Sequence, residues 1–254
     1  MPRLYVRSLC FLLNIVLLKK ISCKDCPNIS CLIKKNSVPA WDEFIEQAKY
    51  QAIYKKDYSV FVVGSPIAGL FFVQNGMIRE FVLRPHNDTE IIHFANDGQV
   101  FGHVGFSNIY SSGADAKIDS TICFFNNEVL DKMYGINQKL LYDLMLYYSN
   151  VHSESTQRLM NLSQMNLREK VASVLFYLYR NFGLNSSDEL LECFNRDDIA
   201  SLACTTTEQV SRQLSDFQKE NIIEKRTRRI AILKPSELQD IIKDYYGLSQ
   251  IVGV

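Results

Sequence analysis

The chain has 254 residues carrying 28 basic and 28 acidic side chains, so its formal net charge is zero. That length has room for two domains, and 47% hydrophobic residues fit packed cores rather than disorder. Neutrality excludes a protein that binds polyanions with its whole surface, so any nucleic-acid affinity must come from a local patch, and the seven cysteines form no secreted disulfide framework in a chain this size, which points to the cytoplasm.

At the N-terminus, Arg3 and Arg7 precede an apolar run from Leu9 to Leu18, and Lys19 and Lys20 follow it. The order is that of a signal peptide, but no small-x-small cleavage site follows. The run is also too short to cross a bilayer. A start assigned too far upstream, a loose helix and an interfacial membrane contact all stay open. Cys23-Lys-Asp-Cys26-Pro-Asn-Ile-Ser-Cys31 comes next. Cys-x2-Cys with a third cysteine nearby is a sound start for a thiolate-ligated metal site, on a segment with little other reason to be ordered. Cys123 stands far downstream in a predicted strand. Zinc ligation or no metal at all is open to the same residues, and Cys123 alone reads equally as a small core hydrophobe. Cys10, Cys193 and Cys204 read as packing residues or bystanders.

From about Ala52 to Phe125, short apolar runs alternate with turn clusters. The segments Val60–Val63, Leu70–Gln74, Ile78–Leu83, Ile91–Phe94 and Ile118–Phe125 read as strands of an antiparallel sandwich or jelly roll. Asn75-Gly76 is the strongest hairpin signal among the turns. After Asn126 the period changes. Leu130 to Leu162 holds no Pro and only Gly135, and Leu140 or Leu141, Leu144, Tyr148, Val151, Ser155, Leu159 and Leu162 recur at three- and four-residue steps. One long helix is expected, its narrow stripe packing on its own domain or pairing with a second subunit, as in a coiled coil. Leu167, Val171, Val174, Leu175, Leu178 and Phe182 mark another amphipathic helix, ended by Gly183.

Asn195 to Ile223 reads as two short helices around a tight turn. Ile199, Leu202 and Ala203 share one face of the first. Cys204-Thr205 breaks the period, and Thr206 with Gln209 forms a capping-box start for the second. Val210, Leu214 and Phe217 face inward there, while Thr207, Glu208, Ser211, Arg212 and Ser215 share the outer arc. Arg suits guanine, Glu accepts from cytosine and Ser adapts to either. An ordinary amphipathic hairpin would show the same period. The following segment, Ile222 to Leu233, reads as a β-hairpin with Lys225, Arg226, Arg228 and Arg229 at its tip. Such a cationic wing supplies phosphate contacts beside a recognition helix, and together the two point to double-stranded DNA. Residues 235–254 read as a helical tail. No nucleophile–base pair, paired carboxylates or phosphate-cradling glycine loop stands out, so the chain does not read as an enzyme.

A β-roll, a long helix and a C-terminal winged helix-turn-helix, in that order, resemble the Crp/Fnr family of bacterial transcription regulators. The resemblance runs from about Ile21 to Leu233 and is most specific at Arg196-Asp-Asp-Ile-Ala and Glu208-Gln-Val-Ser-Arg212. It implies an α+β chain organised as an N-terminal extension (1–40), a cyclic-nucleotide-binding-like sensor roll (41–130), a dimerisation helix (131–163) and a DNA-binding domain (164–254). It also implies a homodimer that meets RNA polymerase. Glu-x-x-Ser-Arg resembles the Fnr branch, which reads inverted repeats of TTGAT-like half-sites; two-fold symmetry would space these about one helical turn, ~34 Å, apart. The oxygen-sensing Fnr proteins hold a [4Fe–4S] cluster on an N-terminal cysteine trio and a fourth cysteine from the roll. The resemblance carries those roles to Cys23, Cys26, Cys31 and Cys123, although the gap before Cys31 is one residue shorter than usual. Cyclic AMP is not expected. His103 stands where cyclic-nucleotide binders of the family have glutamate, and no arginine occurs between Arg84 and Arg158. Phosphate recognition would fall to Lys117, a poorer geometric match. The rival reading is a regulator gated by another small effector in the roll, with inert cysteines.

Overall fold

The computed structural model describes residues 21–41, 44–84, 89–102, 108–185, 189–190, 193–226 and 229–246. The apolar segment 8–18, Cys10, His103 and Arg228 lie outside them. The chain divides into two compact units, Met1–Pro85 with His93–Tyr148 and His86–Ile92 with Ser149–Val254.

Strands between Tyr50 and Asn126 form an antiparallel roll of two four-stranded sheets. Its strands are β1 (Tyr50–Tyr54), β2 (Ser59–Phe61), β3 (Gly69–Asn75), β4 (Met77–Leu83), β5 (Thr89–Asn96), β6 (Val100–Phe101), β7 (Gly113–Ala116) and β8 (Ser120–Asn126). One sheet has the order β1-β8-β3-β6 and the other β2-β7-β4-β5. Alternation along β3 explains its continuous burial. Phe71 and Val73 join Phe61, Ile78, Phe101, Ala114 and Ile122 in the core between the sheets. Leu70 and Phe72 face the opposite way, into a second core with Ile33, Trp41, Ile45, Phe125, Leu130, Met133, Leu140 and Leu144. Each such side chain contributes about 1.5–3 kcal/mol by leaving water.

Asn75-Gly76 does not close a hairpin. The strands on either side belong to different sheets, so this turn is the corner at which the chain changes layer. Gly76 sits at φ +123°, where a Cβ would lie 2.2 Å from the Ser120 hydroxyl oxygen, and its N–H donates to Asp97 at 2.7 Å. The expected strand Ile118–Phe125 begins instead at Ser120, preceded by the separate β7, and β1, β6 and β7 are short strands that the apolar runs did not mark.

The helix expected from Leu130 to Leu162 is two helices. The first, Asn127–Ile136, has Asn126 as its N-cap, accepting from the Val129 N–H, and Asn137 takes up extended backbone at its end. The Asn137 side chain donates to the carbonyl of Asn36 at 2.9 Å, and the second helix runs Gln138–Gln164. Its apolar stripe also divides. Leu140 and Leu144 are buried in the roll's own core, and the Tyr148 hydroxyl donates to the Gly102 carbonyl at 2.6 Å. Leu144 is therefore no subunit seam. Leu141, Tyr142, Met145, Leu146, Leu159 and Met160 are the exposed large apolar residues of this helix.

In the second unit, the helix Leu167–Phe182 starts at a full capping box made by Asn166 and Glu169 and stops at Gly183, φ +70°. Helices Arg196–Leu202 and Thr207–Lys219 follow, then the paired strands β9 (Ile223–Lys225) and β10 (Ile230–Ile232), then helices Pro235–Ile241 and Lys243–Tyr246. Among the described residues, no helix is long and apolar enough to cross a membrane.

Candidate functional site: a nucleic-acid interface and a cysteine cleft

The helix-turn-helix is held by local sequence. Asn195 and Asp198 form a complete capping box at the start of Arg196–Leu202. Cys204 adopts φ +48°, a left-handed turn residue, which is why the apolar period breaks there. Thr206 caps the next helix by accepting from the Gln209 N–H. The expected box is only half formed, because the Gln209 side chain bonds the Thr205 hydroxyl instead. Val210, Leu214 and Phe217 are fully buried. Arg168 braces the far end with two 2.6 Å bonds to Glu220 while its guanidinium lies 4.9 Å from the Phe217 ring centroid.

On the outer arc, Glu208 and Arg212 are paired with one another and about three-quarters exposed. Ser211 and Ser215 are half-buried. The Thr207 hydroxyl donates to Asp197 at 2.9 Å, tying the second helix to the first.

The wing is less open than its charge suggested. Arg226 and Arg229 both hold the buried carboxylate of Glu189, at 2.7 and 2.9 Å, and Arg226 also pairs with Glu224. Asn185, Arg226 and Arg229 together lower the Glu189 carboxyl to about 2. Lys225 donates to the Ser215 hydroxyl at 2.8 Å, linking the wing to the helix Thr207–Lys219. Glu189 was missed in the sequence because it lies far outside the hairpin it fastens.

Cys23, Cys26, Cys31 and Cys123 line a single cleft, with Lys49, Gln51, Phe72 and Phe125 among its walls. Cys123 lies in β8, opposite Gln51 of β1 and Phe72 of β3. Cys31 precedes the short helix Leu32–Lys35. The segment carrying the trio has its own reasons to be ordered, contrary to expectation. Ile33 is core, the Asn28 amide donates to the carbonyls of Val73 and Gln74 at 3.4 and 3.1 Å, the Ile21 N–H donates to Gln51 at 2.9 Å, and Lys34 bonds the carbonyl of Cys26.

Burial, partly offset by Lys49, pushes the Cys23 thiol up to about 11 and Cys123 up to about 12. Burial likewise raises Cys31. Any metal must therefore displace protons from these sulfurs. Among the described residues, no three Cys, His, Asp or Glu side chains gather closely enough for a single metal ion. Four cysteines at one cleft are a donor set that iron–sulfur clusters take and that structural zinc takes as well.

A β-roll followed by a winged helix-turn-helix with a charged outer arc defines a DNA-binding transcription regulator. A model of the cyclic nucleotide-binding domain matches residues 52–137, and one of the Crp-like helix-turn-helix domain matches 169–241. Electron transport regulator A of Shewanella oneidensis is 29% identical over 225 residues, 86% of this chain and 89% of that one. The fumarate and nitrate reduction regulatory protein of Vibrio cholerae is 28% identical over 232 residues, 87% of this chain and 90% of that one. Among solved structures, FixK2 from Bradyrhizobium japonicum superposes with a TM-score of 0.67 at 23% identity, covering 76% of this chain and 96% of that one. A Crp/Fnr-family regulator from Thermus thermophilus gives 0.64 at 17%, covering 76% and 98%. The chain belongs to the Crp/Fnr family of transcription regulators. Its relatives are regulators, not enzymes.

Proposed function

We propose that this regulator is a cytoplasmic homodimer that senses oxygen or redox state through an iron–sulfur cluster and reads an inverted repeat of TTGAT-like half-sites. The joint lining of one cleft by four cysteines from two distant parts of the chain carries the sensing half. The similarity to fumarate and nitrate reduction and anaerobic regulatory proteins supports it. Cys23, Cys26, Cys31 and Cys123 would hold a [4Fe–4S] cluster, which supplies oxygen-labile redox chemistry when bound. Around them, Asn28 fastens the cysteine loop to β3 and Lys34 fixes the backbone at Cys26.

On DNA, Glu208 and Arg212 read base edges, with Ser211 at the margin of the contact. Thr207 lends its position more than its hydroxyl, which Asp197 already holds. Lys225 and Arg228 serve phosphates, and Arg226 and Arg229 do so by exchanging Glu189 for phosphate. The exposed arc of Leu141, Tyr142, Met145, Leu159 and Met160 is the face for the second subunit. RNA polymerase is the further partner that the family implies.

The roll takes no cyclic AMP in this reading. Phe61 stacks on Tyr110 at 4.0 Å between ring centroids and on Phe71 at 5.5 Å, a Cβ at Gly113 would meet the Phe81 ring at 2.7 Å, and Lys117 is buried. Iron and acid-labile sulfide assays on anaerobically purified protein test the sensor. Close to about four of each per chain are expected, lost on replacing any of the four cysteines by serine and kept in Cys193→Ser. A Cys123→Ser protein with full iron and sulfide would overturn the four-cysteine site.

A further inference from the structure

The cleft holds a cation as well as four thiols. Lys49 caps the short helix Ile45–Ala48, and its side chain is 1% exposed. The ammonium donates to the Ile21 carbonyl at 2.6 Å and to Glu46 Oε2 at 3.0 Å, and it lies 3.5 Å from Cys23 Sγ. The other carboxylate oxygen of Glu46 accepts from the Cys23 N–H at 2.6 Å. Cys23 is thus gripped at both ends, its backbone by the carboxylate and its sulfur by the ammonium.

Burying an ammonium is costly, and its partners must compensate. Glu46 does so incompletely, since its side chain is 34% exposed and solvent screens its charge. Gln51, Gln74 and Asn28 add only neutral dipoles to the cleft. Lys34, the other cation on the wall, is directed at the backbone carbonyls of Lys24 and Cys26. Lys49 is the buried cation that reaches a sulfur directly, at the point where four thiolates would collect negative charge.

We propose that Lys49 is the counter-charge of the thiolate set, a positioning residue that stabilises negative charge on the sulfurs and on the cluster they hold, with Glu46 trimming its strength. The inference rests on the iron–sulfur reading. A nearby cation favours the more negative, reduced state and opposes loss of an electron to oxygen. Removing Lys49 lowers the reduction potential and hastens bleaching in air. Neutralising Glu46 does the opposite.

The test uses full-length protein purified without oxygen, as wild type, Lys49→Met, Lys49→Arg and Glu46→Gln. Iron and sulfide content, the midpoint potential of one-electron reduction by dithionite, and the rate at which visible absorption bleaches in air are measured, with circular dichroism reporting the fold. Lys49→Met is expected to have a lower potential and to bleach roughly tenfold faster, the low end of what outer-shell partners of metal sites contribute. Lys49→Arg should stay near wild type, and Glu46→Gln should shift the potential upward and bleach more slowly. If Lys49→Met does not fold, the sign of the Glu46→Gln shift decides. A purely structural role would move Lys49→Met and Glu46→Gln in the same direction, or make Lys49→Arg as poor as Lys49→Met, and either result overturns the proposal. A wild type with a cluster indifferent to all three changes removes the counter-charge alone, whereas a wild type without iron and sulfide removes the cluster reading with it.

Discussion

The winged helix and the cysteine cleft position their working side chains by different means. Glu208, Ser211 and Arg212 stand on one helix, and a turn at Cys204, a cap at Thr206 and a brace from Arg168 to Glu220 fix that helix. In the cleft, three cysteines from a loop meet a fourth from a mid-sheet strand about ninety residues later. Hydrogen bonds from Asn28, Lys34 and Lys49 hold that meeting. A reading arc can be displayed by local rules alone. If the cleft senses as proposed, long-range contacts suit it, because their loss frees a whole segment.

The largest expected effects break this comparison inside the roll. Leu144→Asp buries a charge among Trp41, Phe72 and Leu140 and should destabilise the roll by upwards of about 3 kcal/mol, seen in chemical denaturation. Met145→Asp, one residue on and 55% exposed, should keep the roll folded and yield a monomer in sedimentation. A folded dimer from Met145→Asp would move the seam elsewhere.

On the winged helix, Arg212→Ala should cost roughly 1–3 kcal/mol on the specific site and little on random DNA. Equal losses on both in titrations would make Arg212 a phosphate contact. Glu80 offers a somewhat smaller effect within the roll. Burial raises its carboxyl to about 7 against a bond from the Gly102 N–H. A carboxyl raised on folding binds more protons folded than unfolded, so stability falls as pH rises from 4.5 through about 7. Glu80→Gln should therefore stabilise the roll at pH 8, by on the order of 1–2 kcal/mol, and have little effect near pH 4.5. A mutant no more stable at pH 8 would show that solvent relieves the burial.

The smallest effect sharpens the wing. Glu189 is lowered to about 2, so its contribution is full above the ordinary value of 4.5 and is lost as pH falls through about 2. Glu189→Gln should melt earlier at pH 7, with the difference closing at low pH, and its loosened arginines should bind random DNA more tightly. A pH-independent gap in melting would assign Glu189 to packing.

Much of the winged helix was legible because its signals are local. Ile199, Leu202, Val210, Leu214 and Phe217 carry the helical period, and Gly183 and Thr206 mark an end and a start. Strands long enough to alternate were legible too. The failures are long-range. Asn75-Gly76 has hairpin chemistry, but which sheet receives each strand depends on partners such as Asp97 and Ser120. Asn137 suits a helix or its end, and its bond to Asn36, a hundred residues away in sequence, decides. Leu144 and Met145 are both apolar on a helix, and only the roll beside them tells inside from outside. A lysine such as Lys49 reads as solvated until the fold buries it against the Cys23 thiol and the Glu46 carboxylate.

The most direct test of the account is the affinity of the full-length protein for a TTGAT-type inverted repeat, measured without oxygen and again after exposure to air, for wild type and Cys123→Ser. Tight anaerobic binding that weakens in air, and a Cys123→Ser protein as weak without oxygen as the wild type is after air, is the predicted result. Equal affinity for both proteins under both conditions would contradict it and leave the cysteine cleft without a sensing role.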